Sequence, residues 1–264
     1  VATTTKTSSV GTVFALVNSM IGGTMLTLPL LFRDSGLITS AIILVLSGFI
    51  SLKTCNLYMQ HLASDEKDIQ DSVKRILRGR WYEFFCLITG VYLIMLNVLY
   101  IVLINDQLYN IIKFALAMAG KHDSLAPKTE FTFGKMSEQW LAVITYLPLL
   151  GMLFIKNLGL LVRMTAIGVW SVFIYFIFVG YAFVDNINQG QVHPSQLKLF
   201  SWDIGNLAGT AALAFTIHTV VAPIMRTNKI QSNNTRDLVI SYMTGTVVYA
   251  FIGICGSMAI ESTS

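Results

Sequence analysis

Charged residues are scarce in this chain of 264 residues: they make up 12%, whereas 54% of the residues are hydrophobic. A soluble domain carries about 25% charged residues, so this composition excludes an ordinary soluble protein. A membrane-spanning helix needs about 20 apolar residues. Six of seven apolar windows approach or exceed that length and one, Trp140–Ile155, is shorter. We number the windows TM1 to TM7 in chain order: Val10–Phe32, Leu37–Met59, Phe84–Ile104 with a continuation to Ile112, Trp140–Ile155, Met164–Val184, Leu207–Met225 and Leu238–Ile260. The sequence therefore predicts an all-α membrane protein with about seven transmembrane helices.

Cysteines are few, and motifs for catalysis are missing. All three cysteines fall within or at the ends of apolar windows, which favours reduced thiols over a disulfide framework. The sequence has no His, Cys and Glu cluster at metal-ligand spacing and no nucleophile motif. We therefore expect neither an enzyme nor a metal site, and no organic cofactor.

The formal charge of +4 would suggest a nucleic-acid partner in a soluble protein. In a membrane protein, the distribution of basic residues predicts orientation instead. With the N-terminus in the cytoplasm, the inner side carries eleven basic residues and the outer side five. The bias predicts a cytoplasmic N-terminus and, after seven spans, an outer C-terminus. No nucleic-acid partner is expected.

TM1 contains polar residues and helix breakers where a plain membrane anchor would be uniformly apolar. Between Asn18 and Pro29 lie two glycines and three hydroxyl residues. In hydrocarbon, a helix is interrupted only where it lines a cavity or is buried by protein. Secondary transporters bind their cargo at such broken helices, although small residues also serve close helix packing. We predict that Gly22 and Gly23 form a non-helical break beside TM6.

TM6 repeats this pattern, with hydroxyl residues, His218 in mid-span and Pro223 beyond it. An ionisable residue inside a span indicates function, because its burial is costly. A neutral histidine hydrogen-bonded between helices is the alternative. We expect His218 to face the protein interior near TM1 or TM3. Breaks in the first and sixth spans are what an inverted-repeat transporter would show.

The predicted organisation has three parts. Residues 1–9 are rich in Thr and Ser and form a flexible lead. Residues 10–186 hold TM1 to TM5 as a first five-helix repeat, and residues 207–260 hold TM6 and TM7 as the start of a second. Within the first repeat, residues 63–80 read as an amphipathic helix along the inner surface or as a solvated connector. The helix would carry an apolar face and basic residues that contact lipid headgroups: Ile69, Val73, Ile76 and Leu77 on the face, and Lys74, Arg75 and Arg78 beside the lipid.

The motif Asn-Ser-x-x-Gly-x-x-x-Leu-x-Leu-Pro in TM1 resembles the amino acid/auxin permease family, which includes the sodium-coupled neutral amino acid transporters. The TM6 motif Ala-Phe-x-x-His-x-x-x-x-Pro-Ile, from Ala214 to Ile224, resembles the same family, and the likeness covers nearly the whole chain. It implies the fold of the bacterial leucine transporter, with five helices followed by five inverted ones. It also implies a substrate held at the unwound parts of TM1 and TM6.

The resemblance and the breaks together give the candidate site residues. The helical half that starts near Thr24 would direct its N–H groups at a substrate carboxylate, and the freed carbonyls near Asn18 to Ile21 would bind a cation or the substrate amine. The candidates for substrate binding are Ser19, Gly22, Gly23, Thr24, Phe215 and His218. The candidates for ion coupling are Asn18, Ile21 and His218.

Two departures from the family pattern stand out. Thr24 replaces a common second glycine, and the eighth helix, which contributes to the sodium site of the family, is absent from the sequence before Ser264. The leading hypothesis is a secondary active amino acid transporter, or its N-terminal part, driven by sodium or protons. A sodium ion is the one inorganic ligand that the resemblance implies. The alternative is a non-transporting subunit with a structural or sensing role.

The expected partners are a small-molecule amino acid and the lipid bilayer, with other membrane subunits as candidates for covering TM6 and TM7. Either the plasma membrane or an organelle membrane fits this sequence.

Overall fold

The computed structural model of the chain describes residues 6–63, 66, 69–77, 79–120, 137–153, 158–190 and 198–259, without the side chains of 138, 152, 153 and 158–169. The described residues are almost entirely helical. Their helices are α1 (Ser9–Met20), α2 (Thr24–Ser35), α3 (Leu37–His61), α4 (Ile69–Ile76), α5 (Arg80–Met118), α6 (Glu138–Leu153), α7 (Leu158–Asn188), α8 (Gly205–Ala214), α9 (His218–Arg226) and α10 (Asn234–Ala259).

Six of the seven predicted spans correspond to helical segments that are long and apolar enough to cross a bilayer. Five are helices or nearly continuous helix pairs, and the sixth is the pair α1 and α2, bent by 60°. The apolar part of α6, Gln139–Gly151, is shorter, as the sequence indicated. α5 has 39 residues, about 58 Å at 1.5 Å per residue, and includes both Phe84–Ile104 and the predicted continuation to Ile112. The prediction of an all-α membrane protein is confirmed.

The chain folds into two compact units. One unit contains residues 1–78 and 167–264, and therefore both interrupted spans; the other contains residues 79–166. The predicted division into repeats at 10–186 and 207–260 stays a prediction, as does the orientation of the N-terminus. The site described below lies wholly within the first unit.

The core of the first unit is organised by α10, which packs against α1, α2 and α3. Its buried positions recur every three or four residues, as in a helix with one face in a core. Glycines on this face allow close approach. A Cβ at Gly253 would lie 2.6 Å from the Phe32 ring, and one at Gly256 would lie 2.6 Å from Pro29 Cγ. α2 is therefore held directly against α10.

Backbone hydrogen bonds close the first unit at two ends. At one end Gly36, with φ of 85°, turns the chain from α2 into α3, and the next two N–H groups donate to the carbonyls of Lys198 and Leu199. A Cβ on Gly36 would lie 2.9 Å from the Leu199 backbone, so only glycine fits this turn. At the other end, Thr7 forms a parallel bridge with the segment after α9.

The connector 63–80 contains α4, so its predicted helix is present in part. Ser72 is buried, whereas Ile76 and Leu77 on the predicted apolar face are exposed. Arg75, expected to contact lipid headgroups, instead forms an ion pair with Glu66 at 2.5 Å. Arg78 lies outside the described residues.

Candidate functional site

The first span is interrupted at Ile21–Gly23. α1 ends at Met20 and α2 begins at Thr24, as predicted for Gly22 and Gly23. Among the described residues, the N–H groups of Gly22, Gly23 and Thr24 donate to no protein acceptor, and the carbonyls of Asn18, Ser19 and Ile21 accept from no donor. Unpaired backbone groups inside a membrane cost several kcal/mol each unless they line a cavity or meet a ligand. The first break thus has unpaired backbone hydrogen-bond donors and acceptors close to one another.

The sixth span is also interrupted, although its two halves are bent less than those of the first span. α8 ends at Ala214 and α9 begins at His218, with Ile217 as an N-cap that provides no side-chain acceptor. In the described part of the chain, the N–H groups of His218 and Thr219 have no acceptor, and the carbonyl of Ala214 has no donor. Both proline-containing halves, α2 and α9, therefore begin with unsatisfied N–H groups at a break.

The two broken spans run in opposite directions. α2 ends at Ser35, whose hydroxyl donates to the Asp203 carbonyl at 2.6 Å, near the start of α3. α9 ends at Arg226, which donates to the Ala63 carbonyl beyond the far end of α3. Since α3 has 25 residues, these ends are separated by the length of a span. The helix N-termini at Thr24 and His218 accordingly face the middle of the unit from opposite halves.

Two tyrosines of α10 connect the breaks. Tyr249 Oη donates to the Met20 carbonyl at 2.5 Å, and Tyr242 Oη donates to the Phe215 carbonyl at 3.0 Å. Gly245 lies between them, and a Cβ there would lie 3.4 Å from Met20 Sδ and 4.0 Å from the Phe215 ring. Sequence reasoning missed both tyrosines. The available signal was their spacing of seven residues, which places them on one face of a helix two turns apart.

Phe215 occupies the centre of this packing. Its ring is fully buried, stacks on Tyr242 at 6.0 Å and meets the edge of Tyr249 at 5.5 Å. A Cβ on Gly48 of α3 would lie 3.2 Å from the ring. The ring therefore fixes the TM6 break against α3 and α10; a direct contact with substrate stays a prediction.

The predicted residues of the first break differ in their surroundings. Ser19 is exposed, and its hydroxyl donates to the Ala15 carbonyl. Thr24 is 6% exposed, and its Oγ1 has no hydrogen-bond partner among the described residues. A buried hydroxyl without a partner is uncommon in folded proteins and indicates a specific role, such as binding a ligand. Thr24 is therefore the strongest side-chain candidate at the break.

The Nε2 atom of His218 lies 2.9 Å from the hydroxyl oxygen of Thr54 on α3. This hydrogen-bond partner lies on α3, which is TM2, and α9 also packs against α1, the first half of TM1. The prediction that His218 lies near TM1 or TM3 stays a prediction. Thr54 Oγ1 also lies 3.0 Å from the Ile50 carbonyl, a bond that uses its only proton. With that proton on the backbone carbonyl, Thr54 Oγ1 accepts a hydrogen bond from the Nε2–H tautomer of His218. The histidine is thus hydrogen-bonded between helices, as in the alternative interpretation.

Asn18 and Ile21 help to line a cavity of about 270 Å³ between α1, α7 and α10. Its remaining lining is apolar except for Thr244. The cavity places an amide side chain and the free Ile21 carbonyl close to the first break. Gly22 and Gly23 are not among its lining residues.

The comparisons with known proteins identify the family of this chain. The sequence model of the family described as "Transmembrane amino acid transporter protein" matches residues 5–261. The chain belongs to the transmembrane amino acid transporter family. The resemblance drawn from the TM1 and TM6 motifs is thereby confirmed. Members of this family are transporters rather than enzymes, and the chain is an integral membrane protein.

Relatives of this family member carry transporter names. It is 25% identical to "Neutral amino acid transporter 9" of Danio rerio over 298 aligned positions, which cover 94% of this chain and 54% of that protein. It is 26% identical to the protein of the same name in Rattus norvegicus, with 94% and 52% covered. "Sodium-coupled neutral amino acid transporter 7" of Danio rerio is 26% identical, with 97% and 55% covered. The chain spans about half the length of the curated relatives it matches.

Proposed function

We propose that this chain belongs to a secondary active transporter for a neutral amino acid that works by alternating access. The substrate binds at the breaks of TM1 and TM6, and sodium or protons supply the driving force. The fold proposed for the complete protein is that of the bacterial leucine transporter, with inverted repeats. The neutral amino acid class follows from the names of the relatives.

The observation that carries the proposal is the meeting of opposite helix ends at the two breaks. Helix N-termini carry a partial positive charge and free N–H groups, and C-termini carry a partial negative charge and free carbonyls. α2 and α9 present N-termini, while α1 and α8 present C-termini. In an amino acid zwitterion, the carboxylate is attracted to the helix N-termini and the ammonium group to the helix C-termini. Both charges of the substrate thus find partners in backbone groups.

Free carbonyls at the first break also suit a coupling cation. The carbonyls of Asn18 and Ile21 and the amide oxygen of Asn18 are neutral oxygen donors, which hard cations prefer. In broken-helix transporters, unwound carbonyls coordinate the sodium ion. If protons supply the driving force instead, His218 is the titratable group at the sixth break.

Thr24 provides the experiment that tests the site. Thr24→Val removes a buried hydroxyl without changing its shape, whereas Thr27→Val, one turn further, removes a hydroxyl already bonded to the Thr24 carbonyl at 2.9 Å. The assay measures uptake of a panel of neutral amino acids. Thr24→Val should lower kcat/KM about tenfold, which corresponds to a loss of roughly 1.4 kcal/mol of binding free energy. Equal effects of the two substitutions would refute a substrate role for Thr24.

A non-transporting subunit remains a second candidate because one face of TM6 is open. Ala212 of α8, Thr216 in the break and Val220 of α9 are exposed, so further helices are able to pack there. In such a subunit, amino acid binding without concentrative uptake is expected. Measuring binding and uptake on the same preparation separates the two functions.

A further inference from the structure

A second polar cavity lies at the end of the first unit where α3 and α9 terminate. Its volume is about 440 Å³. Three cationic side chains line it, together with three amide side chains and no carboxylate: Lys6, Arg226, Lys229, Asn228, Gln231 and Asn234. The candidate substrate site uses none of these groups.

The amides of this cavity are fixed by hydrogen bonds to one another and to the end of α9. Gln231 Nε2 donates to the carbonyls of Met225 and Asn228 at 3.0 and 2.7 Å, which closes the last turn of α9. Asn234 Nδ2 donates to Gln231 Oε1 at 2.9 Å, and Asn228 Nδ2 donates to Asn234 Oδ1 at 2.9 Å. These hydrogen bonds hold the amide side chains in place, and the three cationic side chains supply most of the donors left for a ligand.

Two described carboxylates near the cavity already have other partners. Asp237 accepts from Arg236 at 3.0 Å and from Asn228 Nδ2 at 2.9 Å, and Glu66 accepts from Arg75. Arg226 uses one N–H on the Ala63 carbonyl at 2.9 Å, and four of its five remain. Within the described part of the chain, no carboxylate forms an ion pair with Lys6, Lys229 or Arg226. Three cations are left to attract an anion into one cavity.

The cavity also joins two segments that are distant in sequence. Thr7 N donates to the Thr227 carbonyl and Lys229 N donates to the Thr7 carbonyl, both at 2.8 Å. These bonds bring the side chains of Lys6 and Lys229 to the same opening. An anion between them would hold the segment before α1 against the end of α9, the second half of the broken sixth span.

We propose that this cavity binds the phosphate group of an anionic ligand through Lys6, Arg226 and Lys229. Clusters of Lys and Arg at the membrane surface bind phosphorylated lipid headgroups. The cavity lies at the end of α3, which is long enough to cross the bilayer, and α4, which carries the exposed side chain of Ile76, packs against α9. A lipid headgroup and a soluble phosphate share the required chemistry.

The test is a ligand-induced thermal stabilisation assay on the purified protein. The probes are a short-chain phosphatidylinositol phosphate, the inositol bisphosphate headgroup alone and inorganic phosphate, with short-chain phosphatidylcholine as the uncharged reference. Lys6→Gln combined with Lys229→Gln should weaken binding about tenfold or more. Both side chains are exposed, so the fold should persist, which the melting temperature without ligand verifies.

The matched control is Lys113→Gln combined with Lys198→Gln, which removes the same charge from exposed positions outside the cavity and should bind as the wild type does.

Tighter binding of the lipid than of its headgroup identifies a lipid ligand, and equal binding identifies a soluble phosphate. The proposal is overturned if no phosphorylated probe stabilises the wild type, or if both double variants lose affinity equally. Because uptake is not measured, the result is independent of the proposed transport function.

Discussion

Tyr249 Oη donates a 2.5 Å hydrogen bond to the carbonyl of Met20, the last residue of α1, across 229 positions of sequence. Met20 would otherwise leave this carbonyl unpaired, because the helix that should supply its donor stops there. Tyr242 does the same for Phe215 at the second break. One face of α10 thus satisfies one carbonyl at each break and leaves the neighbouring N–H groups free. This division allows the interrupted spans to be stable and still able to bind a ligand.

We expect Tyr249→Phe to destabilise the protein by about 1 kcal/mol, a typical contribution of a side-chain hydrogen bond inside a membrane protein. The substitution removes only the hydroxyl and leaves the Met20 carbonyl without a donor. Thermal unfolding in detergent measures the change. Tyr181→Phe serves as control, because Tyr181 is 69% exposed. A melting temperature equal to that of the control would show that the bond contributes nothing.

Gly253→Ala should destabilise the contact between α2 and α10. Alanine favours a helix over glycine by about 1 kcal/mol, but its Cβ would lie 2.6 to 2.7 Å from three atoms of the Phe32 ring. Overpacking of this kind costs about 1–3 kcal/mol. Phe32→Leu, introduced together with Gly253→Ala, should restore part of the lost stability, because it removes the ring that the new Cβ would contact.

Gly90→Ala is the control for Gly253→Ala, since nothing lies within 4 Å of a Cβ at Gly90 in α5. Gly90→Ala should leave the melting temperature unchanged or raise it. If both alanine variants behave alike in thermal unfolding, the close contact of Gly253 with Phe32 is contradicted.

Glu66 should make stability dependent on acid pH. The hydrogen bond from Arg75, with those from the Ala63 N–H and the Ser72 hydroxyl, lowers the pKa of the Glu66 carboxyl to about 2. A lowered folded-state pKa means that the ionised group stabilises the protein above the unfolded pKa of about 4.3 and that this stabilisation is lost as the pH falls towards 2.

The corresponding experiment compares the wild type with Glu66→Gln in thermal unfolding at several pH values. The wild type should be more stable by a constant amount between about pH 5 and 7, and the difference should narrow below about pH 4. A difference that stays constant down to about pH 3 would disagree with the ion pair to Arg75.

His218→Ala should change the pH dependence of amino acid uptake if protons drive transport. The unperturbed pKa of histidine is near neutrality, so its titration is the natural source of a pH effect between about pH 5 and 8. Thr54→Val keeps the ring and removes its 2.9 Å partner, and a smaller change of the profile is expected. Unchanged profiles in both variants would exclude a proton-linked role of His218.

The breaks could be predicted from the sequence because a helix in hydrocarbon is interrupted only where it lines a cavity or is buried by protein. Glycine, proline and hydroxyl residues inside an apolar run therefore carry a strong signal in a membrane protein. Gly22, Gly23 and His218 were identified in this way, and the family followed from the same motifs. Helix positions were predictable because each span must be long and apolar.

The partners of these residues could not be predicted, because they depend on tertiary packing. Tyr242 and Tyr249 lie in an apolar run in which tyrosine is unremarkable, and nothing local identifies their acceptors. The choice of Thr54 as the neighbour of His218 follows from how α3 packs beside α9. The role of Thr7 was hidden because a segment rich in Thr and Ser has no periodic pattern to indicate its contacts.

The most direct test of the account is equilibrium binding of a neutral amino acid and of two derivatives to the purified protein. The N-acetyl derivative lacks the ammonium group, and the corresponding amine lacks the carboxylate. If the opposite helix ends at the two breaks bind the substrate, only the zwitterion should bind well, and each derivative should bind at least about tenfold more weakly. Equal binding of all three would contradict the claim that the two breaks form the substrate site.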